Sequence, residues 1–171
     1  MKEFQGMVDI SSRKLRRLPR LPNGEWLFGE TRITRSFDCS HNQLSSLDGS
    51  PREVGDTFYA SFNPLQNLEN GPQIVNESYI VRYCELKSLR GSPRKINGIF
   101  DCSTNYLISL EGAPDEITGN FICSNNKTLR SLEGIPKKIG GDFYCVGMNL
   151  SLTEEKIRII SDIRGIVVIS K

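Results

Sequence analysis

The side chains of this 171-residue chain best suited to chemistry are five cysteines, one histidine and a cluster of arginines near the start. Cys102, Cys123 and Cys145 recur at one register, in steps of 21 and 22 residues. Neighbouring strands lie about 4.8 Å apart, so three such thiolates in a row could hold a metal. Yet Ala60 and Val81 occupy the same register and ligate nothing, and a free cysteine packs as a small hydrophobe. Core packing without metal or other cofactor is the expectation. The odd count and the lack of C-x-x-C spacing point to reduced thiols. Cys84 stands where other copies of the pattern carry asparagine, a position at which partial exposure is expected. His41 has no serine or cysteine companion that would make a triad, nor ligands for a zinc site, and reads as a turn residue. Asp38 and Asp101 share a strand position but fall three coils apart, roughly 14 Å by strand spacing, too far for a paired acid and base. No catalytic residue emerges, and the chain is expected not to be an enzyme.

The basic residues Arg13, Lys14, Arg16, Arg17 and Arg20 could meet phosphates and release counterions. They could equally be the solvated flank of a divergent end coil. The net charge is only +2, but residues 1–36 carry eight bases against four acids, so the remainder stands at −2. Nucleic acid is therefore the alternative partner and protein the principal one. The opening residues contain no apolar signal core, and no run approaches a membrane span, so the cytoplasm is the expected location.

These residues are positioned by a repeat. Phe37, Phe58, Tyr79, Phe100, Phe121 and Phe143 are spaced 21, 21, 21, 21 and 22 residues apart, a period diagnostic of stacked coils. After each aromatic come one variable residue and one small apolar residue (Cys39, Ala60, Val81, Cys102, Cys123, Cys145). This alternation predicts a short strand with the aromatic and the small residue facing inward. Asn42, Asn63, Asn105 and Asn126 end the strands, where a side-chain amide can satisfy buried backbone groups. Two leucine rows follow, Leu44, Leu65, Leu86, Leu107, Leu129 and Leu47, Leu68, Leu89, Leu110, Leu132, and form the predicted core. The return path carries Gly49, Gly71, Gly91, Gly112 and Gly134 near a proline, then Val54, Val75, Ile96, Ile117 and Ile139. A proline in every copy leaves no room for a helix there, so that side is expected to be extended.

The predicted architecture is thus a repeat solenoid over residues 8–150, with parallel strands on a concave face and an extended, non-helical convex side. Residues 1–7 form an N-terminal cap. An irregular insert near 27–36, beside the core-plugging Trp26, should be a small hairpin or an extra coil. Residues 151–171 form a C-terminal helix and strand cap, with Ser151 and Glu154 as a capping box and Gly165 at the helix end.

The outward positions carry the functional signal. Serine dominates them at 40, 61, 103 and 124, whereas the repeats beginning at Phe58 and Tyr79 present Tyr59, Phe62, Ile80, Arg82 and Tyr83 together. Aromatic residues and arginine are enriched at interface hot spots, and an apolar cluster of this size on a surface usually marks contact. These five are the predicted partner-binding residues. The competing expectation is that Phe62 and Tyr83 fold over to fill gaps between coils.

With its asparagines set among leucines, the chain resembles leucine-rich repeat proteins over roughly residues 8–150. Leu15-Arg16-Arg17-Leu18-Pro19-Arg20-Leu21-Pro22 is similar to the short, proline-marked repeats of bacterial secreted ubiquitin ligases of the invasion-plasmid-antigen class. Phe100-Asp101-Cys102-Ser103-Thr104-Asn105 with Gly112-Ala113-Pro114 resembles uncharacterised repeat proteins encoded by large tailed bacteriophages. The resemblance implies a curved stack used for protein recognition. The ligase domain and its nucleophilic cysteine have no counterpart after the repeats, so that activity is not implied. A phage origin would make the chain an inhibitor or modulator of a host enzyme or defence factor, acting by occlusion.

Overall fold

A computed structural model describes residues 1–148 and 152–169. Period-two patterning in each repeat produces strands of only two or three residues, and their stacking produces a parallel-strand β-solenoid. One wall is an eight-stranded parallel sheet whose spatial order follows the chain: Val8–Asp9, Phe37–Asp38, Phe58–Tyr59, Tyr79–Ile80, Phe100–Asp101, Phe121–Ile122, Phe143–Tyr144 and Val167–Val168. Equivalent residues pair directly, Phe58 with Tyr79 and Tyr59 with Ile80. The return path is extended as anticipated, and it too hydrogen-bonds into sheets. Lys2–Phe4, Thr31–Ile33, Glu53–Val54 and Ile74–Val75 form one four-stranded sheet. Lys95–Ile96, Glu116–Ile117, Lys138–Ile139 and Asp162–Ile163 form another.

Between the walls lies a single core. The aromatic row, both leucine rows and the return-path valines and isoleucines are all buried, most of them completely. Each leucine removed from water contributes about 2 kcal/mol. The inward rings form a continuous file with centroid separations of 6.0, 4.8, 5.9, 5.8 and 5.5 Å from Phe37 to Phe143. Phe28 and Phe4 extend it edge-on at the N-terminal end.

Three sequence expectations are refined. Gly49, Gly91, Gly112 and Gly134 occupy left-handed corners with φ between +85° and +96°, but in the second copy that corner is Asn70 (φ +63°) rather than Gly71. Asparagine tolerates this region better than other non-glycine residues. Gly71 is needed for another reason, since a Cβ there would meet the Tyr79 hydroxyl at 2.7 Å. Near the insert, Asn23-Gly24 turns the chain so that Arg20 and Trp26 form an isolated antiparallel bridge. Thr31–Ile33 then joins the second wall, and Phe28 closes the ring file.

At the C-terminus the helix spans only Glu154–Ile160 and is N-capped by Thr153, whose hydroxyl accepts from the Lys156 N–H. Ser151 lies outside the described residues. The helix ends at Ser161, four residues before Gly165, because Asp162–Ile163 is taken up as a strand beside Lys138–Ile139. Gly165 instead lies against Gly141, where a Cβ would approach the Gly141 carbonyl oxygen to 2.5 Å. The predicted terminal strand is present as Val167–Val168, paired with Phe143–Tyr144. Among the described residues no helix is long and apolar enough to cross a membrane.

Candidate functional site

After four strands of the eight-stranded wall the corner is built by a buried asparagine, and after Tyr79–Ile80 Cys84 takes its place. Asn63 donates from Nδ2 to the Cys39 and Ala60 carbonyls at 3.0 and 2.9 Å and accepts the Leu44 N–H on Oδ1 at 3.0 Å. Asn42, Asn105 and Asn126 repeat the arrangement. The residue before each of these positions, Cys84 included, lies in the left-handed region: His41 at φ 54°, Phe62 at 58°, Tyr83 at 56°, Thr104 at 54° and Asn125 at 60°. Glycine or asparagine would occupy such a corner at low cost, whereas a bulky side chain there is strained by about 1–2 kcal/mol.

Three successive corners nevertheless carry rings, and the rings stack. His41 lies 4.3 Å from Phe62 at 13° between planes, and Phe62 lies 4.8 Å from Tyr83 at 7°. Phe62 and Tyr83 therefore do not fold inward between coils. They remain 39% and 51% exposed. Tyr59, 36% exposed, stands beside the half-buried Ile80 on adjacent strands. Arg82 is exposed and forms no ion pair among the described residues. The five residues singled out from sequence thus fall on two neighbouring repeats.

Sequence reasoning missed His41 as the first ring of this stack. It also missed Tyr106 and Ile108, which are 56% and 55% exposed. Their signal was available, since they flank the buried Leu107 and alternation turns both outward. Conversely, some outward strand positions are covered. Ser40, Ser61 and Asp101 are buried, and the Asp101 carboxylate accepts from the Ser103 N–H at 2.9 Å and from its hydroxyl at 2.6 Å.

At the N-terminal coil Arg13, Lys14, Arg16 and Arg17 are exposed and unpaired among the described residues. Arg20 is drawn away from them. Its guanidinium sits 3.7 Å from the centre of the Trp26 ring and donates to the Gly24 carbonyl. Trp26 is half-buried against the core and rests on Gly49, where a Cβ would collide at 2.4 Å. An open hollow of about 680 Å³ beside Trp26 is lined by Glu30, Asp48, Arg52 and Asn70 among others. These groups pair across it, Arg52 with Glu30 at 3.6 Å and Asn70 with Asp48 at 2.6 Å.

All five thiols are free and buried. Cys84 is fully buried, contrary to the exposure anticipated for it, because its thiol occupies the asparagine site and donates to the Ala60 carbonyl at 3.3 Å. Burial pushes its ionisation up to about 12, and drives Cys39, Cys102 and Cys123 well above the ordinary thiol range. Thiols this reluctant to ionise are poor nucleophiles. Among the described residues no three His, Cys, Asp or Glu converge as a metal site.

The chain matches no family model, no curated protein and no solved structure.

Proposed function

We propose that the chain is a non-enzymatic protein-binding module of the leucine-rich-repeat type, which grips its partner through Tyr59, Phe62, Ile80, Arg82 and Tyr83. The observation carrying this reading is the exposed stack His41–Phe62–Tyr83, held on strained corners where asparagine would be easier to accommodate. Strain retained at a surface is a mark of use rather than of stability. A preformed sheet with stacked rings loses little conformational freedom on docking, which favours tight association without chemistry. By resemblance to phage-encoded repeat proteins, the partner is a host bacterial enzyme or defence factor in the cytoplasm, inhibited by occlusion.

The test is recovery of a partner from bacterial lysate by the wild type and by a Tyr59→Ala, Ile80→Ala, Tyr83→Ala triple variant, with the captured protein then titrated against both. A partner bound by the wild type and lost by a variant of unchanged circular dichroism is the expected result. Equal affinity for both would remove the assigned face. The exposed Arg13, Lys14, Arg16 and Arg17, which form no ion pair among the described residues, favour nucleic acid as the second reading, which requires steep salt dependence. A flat response to DNA and RNA at low salt would dispose of it.

A further inference from the structure

The ring stack stops at Tyr83, but the backbone platform that carries it continues. Thr104 and Asn125 keep the left-handed corner at φ 54° and 60°, and their N–H groups donate to the Ser124 and Val146 carbonyls at 2.8 and 2.7 Å, the bond that Phe62 makes to Arg82 at 3.1 Å. What changes is side-chain size. Threonine in place of a ring leaves a cavity of about 320 Å³ over Thr104, with Tyr83 at one end, Asn125 at the other and Tyr106 also in its lining. Asn125 is backed by the following coil, since its Oδ1 lies close enough to Gly147 that a Cβ there would approach to 2.5 Å.

We infer that this cavity is a slot for one aromatic side chain of the bound protein, which continues the file His41–Phe62–Tyr83 as its next ring. The protein's own rings define the fit: members of the file repeat every 4.3–4.8 Å and lie nearly parallel, so a planar group above Thr104 would meet Tyr83 in the same way. Offset stacking is a favoured aromatic geometry. Charge selects among planar ligands. The lining contains one acid, Glu85, and one base, Lys127. Together they present no net positive field to a phosphate, which disfavours a nucleotide and leaves a neutral ring with a polar edge, an indole or a phenol, as the occupant. This inference rests on the protein-binding reading and adds to it the chemistry of the residue that the partner must supply.

The experiment is an NMR titration of the full chain with N-acetyl-tryptophanamide, with N-acetyl-leucinamide and AMP as comparisons. The expected result is a saturable upfield shift of the Tyr83 ring protons, which line the slot and are present in both Thr104 variants, with the tryptophan probe and little or none with the leucine probe. Thr104→Trp fills the slot and should abolish saturation, whereas Thr104→Ser should retain it. Equal responses to the tryptophan and leucine probes, an unchanged response in Thr104→Trp, or tighter binding of AMP would each overturn the assignment. The two levels of the argument separate in partner capture. If Thr104→Trp keeps the partner while the Tyr59, Ile80, Tyr83 triple variant loses it, the face stands and the slot falls. Saturable tryptophan binding by the wild type, with the partner lost by Thr104→Trp but kept by a Tyr59→Ala, Ile80→Ala double variant, supports the slot and removes the rest of the face.

Discussion

Asn105→Leu is the substitution that most directly tests how the corners are held. Asn105 accepts the Cys84 and Leu86 N–H groups at 2.9 and 3.0 Å, and donates to the Val81 and Cys102 carbonyls at 2.9 and 3.0 Å. Leucine has similar bulk and none of this capacity. The Cys102 carbonyl keeps a donor, Asn126 at 3.1 Å, so three buried backbone groups are left without the partner they had. An unmet buried polar group costs about 1–3 kcal/mol, and local relaxation recovers part of it, giving an expected loss of about 3–5 kcal/mol. The assay is urea unfolding followed by far-UV circular dichroism, read as a lower midpoint at constant slope. The same chain contains a natural gap in the file, Cys84, whose thiol donates but lacks an amide oxygen to accept. Cys84→Asn should therefore raise stability by about 1 kcal/mol. A loss below about 1 kcal/mol for Asn105→Leu would refute the view that these side chains, rather than the leucine rows, hold the corners.

Tyr79 is the one phenol in the inward aromatic row, and its buried hydroxyl has no hydrogen-bond partner among the described residues. Tyr79→Phe should stabilise the chain by about 1 kcal/mol in the same urea assay, and a lower midpoint would contradict this. The buried thiols predict an alkaline limit. Cys84 ionises at about 12 when folded against an ordinary value of 9.0. The unfolded chain therefore releases that proton first, and stability falls as pH rises from about 9 to 12. Cys84→Ala should flatten part of that fall in thermal melts recorded across this range, and an identical slope in both proteins would rule out the thiol as its source. Phe62→Asn exchanges a strained ring for a residue suited to the left-handed corner. Stability should change by no more than about 1 kcal/mol, since strain relief offsets lost stacking, while partner affinity falls at least tenfold. Unaltered affinity would show that the ring stack is structural only.

Much of the architecture was legible before any coordinates. A solenoid stacks one-dimensionally, so residues at one register meet one another, and the recurrence of Phe37, Leu44, Leu47 and Val54 translates directly into rows of contacts. The elements misjudged are those whose fate depends on a competing strand. The helix expected to reach Gly165 stops at Ser161 because Asp162–Ile163 gains parallel pairing with Lys138–Ile139. Partial exposure is the expectation for Cys84 because it replaces a turn asparagine, yet its thiol lies in the interior, its one hydrogen directed at the Ala60 and Arg82 carbonyls.

The candidate site divides along the same line. Alternation along a strand decides which way a side chain leaves the backbone, and on that basis Tyr59, Ile80 and Arg82 could be picked out from the order of residues alone, whereas Phe62 and Tyr83 stand beyond the strand and are exposed at left-handed corners that alternation does not describe. Whether an outward side chain is then free depends on what the coils above and below place against it. Asp101 points outward and is buried, whereas His41 looked like an isolated turn residue and starts a stack. The slot beyond Tyr83 belongs wholly to this second kind of information, because it is formed by the contrast between a ring on one coil and the short side chain of Thr104 on the next. Direction is local to the chain, but exposure is a property of neighbours some 21 residues away in sequence, brought within van der Waals reach only by stacking.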